Sequence, residues 1–229
     1  AKNADVIVLC LGENTYTETP GNLSDLYISD LQTELAKKLA ATGKTVVLVL
    51  NEGRPRVISK FKKSMSAIVQ SYLPGNFGGD AIADVLFGDV NPSGKLPYTY
   101  PQFPNALFTY YHKPSESRET TEGVYNYDAD YNPQFVFGHG LSYTTFEYGD
   151  LKASSTQLKR DEKLTVEIPV KNIGDRDGVE TVHWFIQDPV STISRPIKEL
   201  KYFEKQLLKK GETKTYMFEV DLQRDLSFV

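Results

Sequence analysis

Asp5-Val6-Ile7-Val8-Leu9-Cys10-Leu11, running straight into Gly12-Glu13-Asn14-Thr15-Tyr16-Thr17-Glu18-Thr19-Pro20-Gly21-Asn22, decides how the first half of the chain folds. The apolar run is short and almost uninterrupted, which fits a strand of a parallel sheet buried on both faces. The polar loop therefore starts at the carboxyl end of a strand, where open α/β sheets gather their ligand sites. Two carboxylates, a Tyr and a Gly-Asn turn make it a candidate site, with a plain solvated connection as the alternative reading.

Outward from that loop, Ser29 and Gln32 have capping-box spacing, Asp30 sits in the first turn, and Leu31, Leu35 and Leu39 mark an apolar stripe, so a helix follows and ends at Gly43. A second buried strand is expected over residues 45–50, parallel to the first because a helix crosses between them. It delivers Asn51-Glu52-Gly53-Arg54-Pro55 to the same edge, where Glu52 and Arg54 are expected to form a structural ion pair rather than to do chemistry. A third β-like segment, residues 67–72, leads into Leu73-Pro74-Gly75-Asn76-Phe77-Gly78-Gly79-Asp80 and a helix carrying Ala81, Ile82, Val85 and Leu86 on one face, ended by Gly88. Three strand ends thus bring polar, Gly-bearing loops to one rim of a doubly wound or sandwich-like α/β domain.

The 26 basic and 30 acidic residues leave a net charge of −4 with no basic stripe, so a nucleic-acid partner is not expected. No apolar run approaches the roughly 18 residues of a membrane span. Cys10, the single cysteine, cannot form an intramolecular disulfide and is expected as a small buried thiol. No leader is visible, and an opening of Ala1-Lys2-Asn3-Ala4-Asp5 is compatible with a start further upstream. The glycines match neither G-x-G-x-x-G nor a P-loop, which argues against a nucleotide. Asp128, Asp130 and Asn132 are spaced like calcium ligands, yet Pro133 stands where such a loop needs Gly and no Glu follows at the twelfth position, so turn capping is expected and no metal or cofactor.

From Pro101 the chain becomes aromatic-rich and irregular, a connection 101–145 packed along the domain surface. Beyond Phe146 the period changes from 3.6 to 2. Leu164, Val166, Ile168 and Val170 alternate with polar residues, as do Val182, Trp184 and Ile186, and Tyr216, Phe218 and Val220. An antiparallel sandwich over residues 146–229 follows, with fewer strands than the roughly seven of an immunoglobulin-like module, hence a truncated one.

The loop 12–22, Gly53-Arg54-Pro55, the run from Pro74 to Asp89, Asn91-Pro92-Ser93-Gly94-Lys95-Leu96-Pro97 and Phe137-Gly138-His139-Gly140-Leu141-Ser142-Tyr143-Thr144-Thr145-Phe146 closely resemble glycoside hydrolase family 3, in its β-glucosidase and β-glucan exohydrolase branch. The likeness continues through Val170-Lys171-Asn172-Ile173-Gly174-Asp175 into the family's fibronectin type III-like module. It implies an α/β sandwich domain over 1–145, a fibronectin type III-like domain over 146–229, and a location outside the cytoplasm, extracellular or periplasmic. Only the family's carboxyl-terminal half is covered. The N-terminal (β/α) barrel, which carries the nucleophilic Asp, is not in this sequence.

The family's retaining mechanism needs two carboxylates about 5–5.5 Å apart, one attacking the anomeric carbon and one serving as acid and then base. By this resemblance Glu18, in its Tyr16-Thr17-Glu18-Thr19 setting, is the acid/base, with Glu13 as rival, and Asn14 and Tyr16 are candidate sugar contacts. The chain departs at Gly21-Asn22, where plant members carry Gly-Asp, so the hydrogen bond of that Asp is not carried over. The implied partners are a β-glucoside or β-glucan oligosaccharide and the barrel of the same protein. A contact with that barrel is the other structural reading of Glu52 and Arg54. The isolated chain is expected to be inactive. A stand-alone, non-catalytic carbohydrate-binding or interaction module is the other reading.

Overall fold

The computed structural model describes residues 1–106, 132–159 and 162–227, and they fall into two compact units. Asp128 and Asp130, and the tyrosines at 110, 111, 125, 127 and 131, lie outside the described residues.

The first unit is built on Ala1–Asp84 together with the described residues 98–106 and 132–137. Its sheet is parallel, in the order β1 (Val6–Gly12), β2 (Thr45–Asn51), β3 (Ala67–Gln70). Helix α1 (Asp30–Ala40) crosses between β1 and β2, and α2 (Gly78–Phe87) follows β3. Leu9, Leu11, Val46, Leu48 and Leu50 meet Ala36 of α1 and the loop residues Ile28, Ile58 and Phe61 in one core.

Three expectations from the sequence are not met: the two-sided burial of β1, the burial of Cys10 and the inward stripe of α1. Strand β1 is not buried on both faces: in the described sheet it lies at the edge, Val6 and Val8 are half-exposed and Cys10 is exposed. Only the face of Ile7, Leu9 and Leu11 meets the core. Nor does the Leu31–Leu35–Leu39 stripe face inward as a whole, since Leu31 is 83% exposed and Leu35 46%. Thr33 and Ala36 are the buried positions of α1, with Leu39 packed beside the core.

Gln32 accounts for the helix orientation. Its amide N–H is capped by Ser29 Oγ at 3.4 Å, but its side chain does not turn back to complete the capping box. It spans to the end of β1 instead, accepting from Gly12 N and donating to Gly12 O, both at 2.9 Å. A side-chain amide can pair with both backbone groups at once, and that clamp fixes which side of α1 turns to the strand end.

The second unit comprises Val85–Pro97 and the chain from Gly138 onward. Strand β6 (Lys163–Asn172) pairs antiparallel with β4 (Phe146–Tyr148), β5 (Lys152–Ala153) and β9 (Thr213–Asp221), while β7 (Gly178–Ile186) pairs with β8 (Glu199–Leu208). The alternating residues read from the sequence form the core: Val170, Val182, Trp184, Tyr216, Phe218 and Val220, closed by Leu208. A short helix, α3 (Leu222–Leu226), is capped by Asp221.

The family-like turn motifs form a buckle in this unit. Leu96 N donates to His139 O and Gly138 N to Leu96 O, both at 2.8 Å. Asn91 Oδ1 accepts from Ser142 Oγ and Tyr143 N at 2.9 and 2.8 Å, and Lys95 Nζ donates to Gly140 O at 2.9 Å. No helix among the described residues is long and apolar enough to cross a membrane.

Candidate active site

The loop after β1 and the loop after β2 leave the sheet side by side, because β1 and β2 pair in register up to Gly12 and Asn51. Glu13 N continues the contact, donating to Asn51 O at 3.1 Å. The side chain of Glu13, 6% exposed, turns toward the second loop. Its Oε1 accepts from Arg54 Nε at 2.8 Å and lies 2.7 Å from a terminal nitrogen of the same guanidinium, with Arg56 at 3.6 Å. Its Oε2 accepts from the backbone N–H groups of Gly53 and Arg54 at 3.2 and 3.3 Å.

Arg54 organises the rest of the loop. Its guanidinium stacks on the Tyr16 ring, 3.7 Å from the centroid, and donates to Gly21 O. The loop 13–21 is thereby wrapped around one side chain. The planar fork of Arg serves a carboxylate, a ring face and a carbonyl at once, which a Lys could not do. An added Cβ at Gly53 would run into the Tyr16 hydroxyl, so the Tyr16 side chain would have to shift from its place on Arg54.

The expected Glu52–Arg54 ion pair does not form, because Arg54 belongs to Glu13. Glu52 is fully buried, and among the described residues neither of its carboxylate oxygens has a hydrogen-bond partner; the Arg56 N–H, close enough to act on its charge, donates to Arg54 O at 2.8 Å instead. Burial pushes its carboxyl up to about 7; the Arg56 amide opposes this, the neighbouring Glu13 charge adds to it, and the Arg56 guanidinium opposes it.

Glu18 is placed quite differently from Glu13. It is exposed, at the head of a 3-10 turn over Thr19–Gly21, and its carbonyl accepts from Gly21 N at 2.9 Å. No described group pairs with its carboxylate. Its backbone, at φ 44° and ψ −141°, lies where side-chain-bearing residues rarely go, a conformation that costs about 1–3 kcal/mol and recurs at functional sites.

A pocket of about 300 Å³ is lined by Glu13, Asn14, Thr15, Tyr16, Asn51, Leu73, Pro74 and Gly75. The structure therefore brings Glu13, Asn14 and Tyr16 together on its wall and leaves Glu18 further along the same loop. Leu73 and Pro74 come from beyond β3, where the sequence showed only a polar rim. Arg54 was visible in the Gly53-Arg54-Pro55 motif, but nothing local in the sequence indicates that its partner lies 41 residues away.

Comparison with known proteins bears on this site. Residues 1–143 match the glycosyl hydrolase family 3 C-terminal domain, and residues 180–229 a fibronectin type III-like domain. The chain is 40% identical to a periplasmic β-glucosidase of Salmonella typhimurium, over 97% of this chain and 30% of that protein. It is 37% identical to a β-xylosidase of Formosa agariphila, over 96% of this chain and 30% of the other. Among solved structures, the β-glucosidase of Listeria innocua in complex with glucose superposes with a TM-score of 0.85 at 38% identity, covering 96% of this chain and 31% of that one. The chain thus spans about three tenths of the length of the relatives it matches.

Proposed function

The chain belongs to glycosyl hydrolase family 3, and we propose that it is the carboxyl-terminal part of a longer retaining β-glycosidase acting on terminal non-reducing β-D-glucosyl residues. In this reading the strand-end loop forms one wall of a cleft that an N-terminal (β/α) barrel completes. The barrel supplies the nucleophile. Glu18 protonates the glycosidic oxygen as its bond to the anomeric carbon breaks, then takes a proton from the water that hydrolyses the glycosyl-enzyme.

The observation that carries the assignment is the contrast between the two carboxylates of the loop. Both oxygens of Glu13 are occupied by Arg54 and by two backbone N–H groups, which leaves that side chain as the clamp of the loop. Glu18 is exposed and uncommitted, as a group that must reach a leaving oxygen has to be. Asn14 and Tyr16, on the pocket wall, are the sugar contacts. A β-glucoside or β-glucan oligosaccharide is the substrate class, and a place outside the cytoplasm, extracellular or periplasmic, accords with the Salmonella relative's name.

The test uses the longer protein carrying Glu18→Ala and a substrate with a dinitrophenolate leaving group, which hardly needs protonation. The glycosyl-enzyme forms quickly and its hydrolysis stalls. Azide, a nucleophile that needs no general base, attacks the anomeric carbon, releases the enzyme carboxylate and gives a β-glycosyl azide. About 10²- to 10⁴-fold of turnover is at stake. Glu13→Ala loses rate with every leaving group and gains nothing from azide. Rescue of Glu13→Ala and not of Glu18→Ala would reverse the two roles, and turnover of an aryl β-glucoside by the isolated chain would refute the need for a barrel.

A further inference from the structure

A buried carboxylate whose oxygens accept no hydrogen bond carries a large desolvation cost when charged, and proteins normally avoid placing one there. Glu52 is such a group, one residue past the end of β2, with Asn51 of the pocket wall before it and Gly53, a donor to Glu13, after it. The guanidinium that acts on its charge, Arg56, has its buried Nε unpartnered among the described residues, while one terminal nitrogen lies 3.6 Å from Glu13 and the other donates to Tyr27 O.

We propose that Glu52 is a positioning residue that holds a proton, so that Glu13 remains the one carboxylate facing Arg54 and Arg56 and keeps the pocket loop clamped. Its positioning role rests on the function proposed above; its proton does not.

The groups acting on Glu52 come from three parts of the unit. They are Glu13 beyond β1, Arg56 on its own segment, and Tyr98, whose hydroxyl is joined through that of Tyr100 to Tyr72. Desolvation pushes the Tyr98 and Tyr100 hydroxyls up, so neither carries charge in the range that matters. Were Glu52 to lose its proton, a second anion would stand beside Glu13 and compete with it for Arg56. Glu13 would then release part of its hold, and Gly53 and Arg54, whose N–H groups it accepts, would register the change.

The carboxyl rises from its ordinary 4.5 to about 7 on folding. Stability from this group is therefore fully present below 4.5, and it is lost as pH rises through 7. The experiment is an NMR titration of the 229-residue chain between pH 4 and 9, following the Glu52 side-chain carboxyl carbon and the Gly53 and Arg54 amides. The Glu52 carboxyl titrates well above the usual carboxylate range. Both amides shift with the same midpoint, and in Glu52→Gln that component vanishes while the thermal midpoint loses its decline over the same interval. An ordinary midpoint for Glu52, or an amide titration that persists in Glu52→Gln, overturns the proposal. Should Glu52→Gln not fold, the carboxyl titration of the unaltered chain decides alone. None of these readings depends on which carboxylate is the acid/base.

Discussion

Arg54 meets Glu13, Tyr16 and Gly21 at once, so its loss is felt at three places in the loop. Arg54→Ala leaves Glu13 buried with its principal partner gone, and breaking such a pair costs about 3–5 kcal/mol. Urea unfolding followed by far-UV circular dichroism measures this for the α/β unit. Arg54→Lys recovers little of the loss, because an ammonium neither forks around the carboxylate nor stacks on Tyr16 in the same way. A loss below about 1 kcal/mol for Arg54→Ala, the usual size for an exposed pair, would show that solvent reaches Glu13 after all. The same clamp leaves Glu18 as the uncommitted carboxylate of the loop.

Helix α1 is tied to the strand end by Gln32 rather than by an inward leucine face. Gln32→Leu keeps the apolar volume but strips the partners of Gly12 N and Gly12 O. Leaving such groups unpaired costs about 1–3 kcal/mol. Ser29→Ala removes a single long cap, and its cost sits at or below the lower end of the ~0.5–2 kcal/mol range for such losses. Amide hydrogen exchange separates the two variants: Gly12 loses protection in Gln32→Leu and keeps it in Ser29→Ala. Equal loss in both would mean that the helix start, and not the side-chain bridge, holds β1 and α1 together. In the sandwich, β7 and β8 pair without such a device: alternation puts Val182 and Trp184 inside, and the register shifts by a bulge only after Trp184.

Each unit has its own apolar core, and the single tryptophan, Trp184, lies in that of the sandwich against Phe218. Fluorescence of Trp184 therefore follows one unit only. Leu208→Ala, at a fully buried position, costs about 2–5 kcal/mol and moves the fluorescence transition, while Arg54→Ala moves the circular dichroism of the α/β unit and leaves the fluorescence in place. Coincident shifts in both variants would mean that the units unfold as one. The order of strand, loop and helix, the parallel pairing of β1 with β2, the change of period after Phe146 and the family likeness were all legible in the sequence, because each is written in local spacing or in a contiguous motif. The exposure of Cys10, the outward Leu31, the Glu13–Arg54 clamp and the unpaired Glu52 were decided only by tertiary structure. Sheet order determines which face of a strand meets solvent, and a guanidinium pairs with whichever carboxylate the fold carries to it. Nothing in the residues flanking Arg54 distinguishes Glu52, two positions away, from Glu13, 41 positions away.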